Sequence, residues 1–453
     1  MRQRFPDLSR RLYFRPEVHL YHEDGRSFVR RSQDKFQVIQ ATLVDTWAST
    51  AAGAFALSEN NLYTTDAFVD YLTHLTPDGF LAFQRWGLDP PRESLRLISL
   101  GIAALARLGE TDAASHFIVA REGSTAGWGA KDTVLIARKP FSPQYLDRAR
   151  RTMAEGHMEA VYFPGESIHN PFTDLLHSAN PEEYQRNYRF DISPVTDNRP
   201  FFFYTVQPRD LWAYVTGASQ NSADYKINHA VPLLFGLMAV SVVATLIVLA
   251  LPPLLLGTRL PRRRGVLWFL LYFVCIGAGY ILIEVALIQK FVLFLGHPTH
   301  ALRVVIFSLL LSSGLGSFWS RRLIGESEAR LSGALVAVIA LVAAIAAVVS
   351  PLLSGGVGWP QWLKIAITVA LIAPPGFAMG MPFPTGLARL DAYQPSSVRW
   401  AWSLNAAASV MGSAGAIMCS IYFGLIQTML MGGALYLAAL LVLRSSFERE
   451  AAH

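Results

Sequence analysis

VHLYHEDGRSFVRRSQDKFQVIQATLVDTW (Val18–Trp47) and ENNLYTTDAFVDYLTHLTPDGFLAFQRW (Glu59–Trp86) hold three apolar, β-rich runs: Val18–Tyr21, Phe36–Val44 and Phe80–Trp86. Two helical segments separate them. The first, Ser27–Lys35, is short. In the second, Thr64 or Thr65 is placed to cap a helix running to His74, with Phe68, Tyr71, Leu72 and Leu75 on one face. This alternation predicts parallel strands joined by crossover helices, the α/β class. The first two runs lead into acids, Asp24 and Asp45. Open α/β sheets bind ligands outside the carboxyl ends of their strands, so chemistry is expected there.

Working outward, Thr76-Pro77-Asp78-Gly79 is a turn signal. Pro91 opens a helix through Leu108 that Gly109 stops. His116–Arg121 and Thr133–Arg138 read as an antiparallel strand pair around a glycine-rich link. Residues 140–228 are less regular, with helices expected at Gln144–Gly156 and Pro181–Tyr188 and a strand at Glu159–Phe163. Then comes DISPVTDNRPFFFY, Asp191–Tyr204, where Asp197 and Arg199 are close enough to pair and Phe201–Phe203 is an aromatic run. It is expected to be a linker that docks on a bilayer surface.

The 453 residues leave room for two or three domains. Only 16% are charged and 52% are hydrophobic, too apolar for an ordinary soluble protein. The average conceals a break near Asn228. Beyond it, apolar runs at 230–256, 265–295, 302–319, 331–353, 362–384, 400–423 and 426–443 approach or exceed the roughly 20 residues a bilayer crossing needs. Six or seven transmembrane helices are expected, in contact with a lipid bilayer. The net charge of +6 is modest and sits largely in short arginine clusters, so nucleic acid is not an expected partner. With seven spans, Arg259, Arg262, Arg263, Arg264, Arg321, Arg322, Arg330, Arg389, Arg399 and Arg444 share one side. The positive-inside rule makes that side cytoplasmic and puts the first 228 residues outside. A domain using a cytosolic nucleotide-like cofactor belongs inside, so orientation stays open at this point.

Candidate site residues follow from position. Asp24-Gly25 is a strand-end turn of the kind that can meet an adenine, or simply a turn. A carboxylate at Asp45 could hold an amine or act as a base. Glu59, Asn60 and Tyr63 lie on the next loop, Tyr63 as readily packing as touching a ligand. No Gly-rich turn of the G-x-G-x-x-G type follows a strand. His74, His116, His157 and His169 lack metal-site spacing, and Cys275 and Cys419 lie inside apolar runs. In the membrane half, Glu284 is an ionisable group at membrane depth, with Tyr280 four residues earlier placed to donate its hydroxyl. Asn405 is similar, and both also fit interhelical bonding among small residues (Ala408, Gly412, Ala416). Pro374-Pro375-Gly376 and Met381-Pro382-Phe383-Pro384 break the fifth span.

The run EDGRSFVRRSQDKFQVIQATLVDTW with LSENNLYTTDAFVDYLTHLTPDGFLAFQRW resembles the C-terminal half of spermidine/spermine synthase-like proteins, which have a methyltransferase-like Rossmann fold. GYILIEVALIQKFVLFLGHP, GLGSFWS, GMPFPTGL, WSLNAAASVMGSAGA and TDNRPFFFY resemble the membrane-embedded branch, in which such a domain is fused to several helices. The resemblance spans roughly residues 15–440. It implies an α/β unit followed by an all-α membrane bundle: a partial Rossmann domain over 1–140, an irregular α/β extension and docking linker over 141–228, and a transmembrane domain over 229–445. It implies Asp24 and Gly25 at the cofactor, S-adenosylmethionine or its decarboxylated form, with Asp45, Glu59 and Tyr63 toward a small amine. The family's Asp-Ser-Ser-Asp-Pro motif falls on Thr42, Asp45 and Thr46, so the presumed base is replaced by Thr42. The family's first strands and cofactor loop would precede residue 15, so a second chain supplying that half is an expected partner. The expectation is an integral protein of a bacterial inner membrane, a transferase of the polyamine type that is not active as this chain alone. The competing expectation is a transport or scaffold protein with a vestigial or regulatory α/β unit, whose function rests on Glu284, Asn405 and the broken span.

Overall fold

The computed structural model describes residues 7, 10–42, 44, 59–125, 129–215, 230–256 and 265–451, without side chains at 214–215, 230–231, 248–256 and 445–451. Helix α1 (Gly25–Arg31) precedes strand β1 (Phe36–Thr42), helix α2 (Thr65–Thr73) and strand β2 (Leu75–Trp86). Helix α3 (Glu93–Arg107), strands β3 (Phe117–Glu122) and β4 (Lys131–Ala137), helix α4 (Pro143–Glu155) and strand β5 (Glu159–Tyr162) follow. The five strands form one mixed sheet in the order β1-β2-β4-β3-β5. β1 and β2 are parallel, with α2 as their crossover, and the remaining pairs are antiparallel.

The local rules explain these elements. Thr64 caps α2, its hydroxyl accepting from the Ala67 N–H. The expected apolar face of α2 is buried at Phe68, Tyr71 and Leu72, and Phe68 stacks on Phe83 of β2 at 5.0 Å. In β2 the alternating residues Leu81, Phe83 and Arg85 point into the layer beneath α2 and α3. α4 covers the other face of the sheet, over Ile118, Ala120 and Phe163. Two expectations change. Val18–Tyr21 is not a strand: Leu20 and Tyr21 are exposed, with no sheet face to bury against, and β1 is the edge strand among the described residues. Thr76–Gly79 does not close a turn. It is absorbed into β2 as an irregularity, with Phe36 opposite Leu75 but Val38 opposite Phe80.

Helices α5 (Pro171–Leu176), α6 (Pro181–Asn187) and α7 (Leu211–Val215) lead to the membrane half: α8 (Ala230–Leu256), α9 (Val266–Leu295), α10 (Pro298–Leu323), α11 (Glu328–Gly355), α12 (Gln361–Gly380), α13 (Pro382–Tyr393), α14 (Val398–Tyr422) and α15 (Leu425–Ala451). Six helical segments among the described residues are long and apolar enough to cross a membrane, α12 and α13 together making one of them. In α8 the qualifying apolar stretch with described side chains, Pro232–Ile247, is shorter. α9 is the central helix. Asn405 of α14 donates to the Phe273 carbonyl of α9 at 2.9 Å, and Gly277 leaves it space. Asn405 thus serves interhelical bonding between small residues. The fifth span breaks at Met381, where Pro382 opens α13.

The bundle has two distinct ends. Gln361 donates to the Leu295 carbonyl at 3.0 Å, joining the end of α9 to the start of α12. At the opposite end Arg389 donates to the Glu326 carbonyl at 3.0 Å, and Phe269 stacks on Tyr393. Between the ends, α10 and α12 touch backbone to backbone: a Cβ on Gly316 would stand 2.0 Å from the Phe377 carbonyl oxygen, whereas one on Gly314 would meet nothing within 4 Å. Gly316→Val is therefore expected to lower unfolding free energy by about 1–3 kcal/mol, the range for overpacking. Gly314→Val should leave the thermal melting curve in detergent close to that of the parent.

Candidate functional site

The segment Asp191–Tyr204 joins the two halves by being bound from both sides. Arg96 of α3, fully buried, donates to the carbonyls of Phe202 and Tyr204 at 2.7 Å each and of Ser193 at 3.0 Å, and pairs with Asp191. Phe201, Phe202, Phe203 and Tyr204 are all buried. Tyr204 meets Tyr422 at the end of α14 hydroxyl to hydroxyl. Asn198 closes the start of α15: its carbonyl accepts from Leu425 N–H at 2.7 Å and its side-chain oxygen from Ile426 N–H at 2.9 Å. The preceding Gly424 has φ +100°, and a Cβ there would lie 2.4 Å from the Asn198 amide nitrogen, so no other residue fits. The expected Asp197–Arg199 pair does not form. Arg199 bonds Ser193 at 3.1 Å instead, and Asp197 turns the other way, toward α1.

There it meets Arg26. The guanidinium, 1% exposed, grips the Asp197 carboxylate with both ends, at 2.6 and 2.8 Å. Its Nε donates to Asp70 of α2 at 2.9 Å, and Nη1 also reaches the Asn61 carbonyl at 2.9 Å. The Thr64 hydroxyl that caps α2 donates to Asp197 at 2.7 Å, and the Asp197 N–H donates to Asp66 at 2.8 Å. Arg30 pairs with Asp70 at 3.3 Å and donates to the Ser354 carbonyl of α11 at 3.2 Å. Against this cluster lie Gln289 and Lys290 from the last turns of α9, and between the two parts is a cavity of about 460 Å³. α2 runs antiparallel to its neighbouring strands, so its N-terminal end and the turn leading into it, at Asn61–Asp66, mark the carboxyl edge of the parallel pair, where α/β sheets bind ligands.

The electrostatics follow from burial and partners. Burial alone would raise the Asp197 carboxyl, but the bonds from Arg26 and Thr64 hold it below the ordinary carboxylate value. Burial wins at Asp70, whose carboxyl is pushed up in spite of Arg26 and Arg30. Burial would lower Arg26, and Asp197 and Asp70 outweigh it, so its pKa is raised. Burial also raises Glu59.

Of the residues expected from sequence, the structure brings Glu59 alone to this seam, where Gln289 donates to it at 3.4 Å. Asp45 lies outside the described residues. Asp24 caps α1, its carboxylate accepting from Ser27 N–H at 2.8 Å, and Gly25 is the first helical residue beside it. Thr42 ends β1, exposed. Tyr63 is fully buried, stacked on Phe202 at 4.7 Å with Arg85 donating to its hydroxyl at 3.3 Å; it packs the core and does not face the cavity. Glu284 is half-buried on α9, and among the described residues no hydrogen bond joins it to Tyr280. Sequence reasoning missed Arg26, Asp70, Gln289 and Lys290. It met Asp197 only as a partner for Arg199.

Asp197→Asn leaves a buried guanidinium short of its best partner, and about 3 kcal/mol of stability should go with it. Because the folded pKa of Asp197 is depressed, its contribution is complete above the unfolded value near pH 3.9 and vanishes as pH falls through the folded one. Melting curves of parent and variant should therefore differ by a constant amount down to about pH 5 and converge below about pH 4.

No protein-family model matches the sequence and no curated protein is significantly similar to it, so the seam is read from its own geometry.

Proposed function

We propose that the chain is a membrane-embedded, spermidine synthase-like protein of a bacterial inner membrane whose α/β unit caps one end of a helical bundle and binds a small polar solute there, without transferring groups itself. The observation that carries this reading is the seam cavity, lined from α1 and α2 on one side and α9 and α11 on the other. Its volume lies within the range of small-molecule sites. The parallel β1–β2 pair with its crossover helix supports half of a doubly wound sheet, and the antiparallel β4, β3 and β5 depart from the classic parallel order. TDNRPFFFY supports the membrane-embedded branch by tying the unit to α14 and α15.

Two features count against group transfer. Thr42 stands where the family's base is expected, and a hydroxyl is too weak a base for the step. The second is sidedness. The α/β unit meets the bundle at the end formed by Leu295, Gln361 and Leu425. The helix ends carrying Arg321, Arg322, Arg330, Arg389 and Arg399 are at the other end. The positive-inside rule makes the arginine end cytoplasmic and the α/β unit external, away from a cytosolic sulfonium donor. Glu59, a carboxyl raised by burial beside the seam, is the one observation favouring a base-catalysed second reading.

Two measurements decide. Calorimetry of the full chain in nanodiscs with S-adenosylmethionine and its decarboxylated form to millimolar should show no heat, and incubation with putrescine no aminopropyl product; a product would restore the transferase reading. With Cys275 and Cys419 replaced, Glu182→Cys should react with an impermeant maleimide on intact cells and Arg330→Cys only after lysis. The opposite labelling would reverse the orientation.

A further inference from the structure

We propose that the seam cavity takes a small oxyanion that also carries a hydrogen-bond donor, held between Lys290 and Gln289. The inference rests on the seam being a ligand site and adds the chemistry of the ligand. Its first support is the charge balance of the lining. Each acid on the wall already has its own arginine: Asp197 has Arg26, Asp70 has Arg30 as well as the Arg26 Nε, and Asp66 has Arg107 at 2.7 Å. One cation remains. Lys290 lines the cavity and feels Asp197 and Asp66 from a distance, but among the described residues no hydrogen bond or ion pair reaches its ammonium. A charge withdrawn from water without a partner is costly, and a ligand carrying the opposite charge removes that cost.

The second support is independent of charge. The Gln289 amide donates to Glu59, which orients its oxygen, and that oxygen is buried with no partner among the described residues. Buried acceptors are nearly always satisfied, so a donor is missing at this point. Lys290 asks for an acceptor and its neighbour Gln289 for a donor, on the same wall of one cavity. A hydroxycarboxylate, hydrogen phosphate or a phosphate-bearing lipid headgroup with a free hydroxyl supplies both. A polyamine supplies donors alone and would set like charge against Lys290, Arg26 and Arg30.

The test titrates the purified full chain, by calorimetry, with glycolate, inorganic phosphate and putrescine, in phosphatidylcholine nanodiscs and in nanodiscs containing phosphatidylglycerol. Glycolate or phosphate should bind in phosphatidylcholine. Lys290→Gln should weaken binding roughly tenfold or more and Lys290→Arg should retain most of it, since a hydrogen bond to a charged group is worth at least that factor. Arg150→Gln, on the distant surface of α4, should bind as the parent does, and melting curves confirm that each variant is folded. If phosphatidylglycerol competes the soluble anions away, the headgroup is the source of the oxyanion; if it leaves them unaffected, the ligand is soluble. Putrescine binding with no anion binding overturns the oxyanion proposal and leaves the seam site standing. Binding of neither overturns both. Anion binding that Lys290→Gln leaves unchanged also overturns it.

Discussion

A single buried guanidinium decides how the two halves of this protein meet. Arg26 belongs to a seven-residue helix that has little stability of its own. Once its side chain is withdrawn from water it has to be neutralised, and Asp70 alone satisfies only its Nε. Asp197 completes the set, with two bonds in the parallel geometry that favours arginine over lysine. Asp197 lies 171 positions away in sequence, in the segment that enters the membrane half. Satisfying Arg26 therefore brings the Asp191–Tyr204 segment against α1 and α2. Asn198, the next residue, then lies at the start of α15.

The same segment is held a second time, by Arg96, and the two arginines divide the work. Arg96 satisfies backbone carbonyls that an irregular buried strand of chain would otherwise leave bare. Arg26 satisfies one side chain and links it to the cap of α2 through Thr64. Phe202 and Phe203 fill the space between, against Tyr63 and Arg85. A segment that reads as a surface linker is in this way part of the core of the α/β unit, and its charged residues line the boundary with the bundle.

What could be read from sequence is what depends on near neighbours. The face of α2 at Phe68, Tyr71 and Leu72, the parallel β1–β2 pair, the β3–β4 pair and the membrane helices all follow from periodicity, caps and length. Asn405 was legible as a bonding residue because small residues recur around it. Val18–Tyr21 misled because apolar composition marks a strand only where a sheet face is available to bury it. Of the alternatives open for Tyr63 and Asp24, the structure shows a packing role for the first, stacked on Phe202, and a capping role for the second, at the start of α1. The seam was not legible at all. Its members lie on α1, α2, the Asp191–Tyr204 segment, α9 and α11, and no local pattern distinguishes an aspartate paired with Arg199 two residues on from one paired with Arg26 far behind it.

Sidedness connects these points to what the seam can do. The arginines that follow α10 and flank α13 stand at the end of the bundle away from the α/β unit, whereas Lys290 lines the seam and Lys364 feels Arg30, Arg31 and Glu23 of the unit. A lysine there bears a desolvation cost, and its nearest acids have closer partners: Asp197 is bound by Arg26 and Thr64, and Asp66 by Arg107, so Lys290 adds only a longer-range attraction to them. Lys290 lies beside Leu287 of α9 and Leu425, Ile426 and Met429 of α15, so it is the ammonium that stands without a partner among the described residues. The oxyanion proposed for the seam would give the Lys290 ammonium the partner it lacks among the described residues. The cavity beside it, between the α/β unit on one side and α9 and α11 on the other, has about 460 Å³ for such an anion.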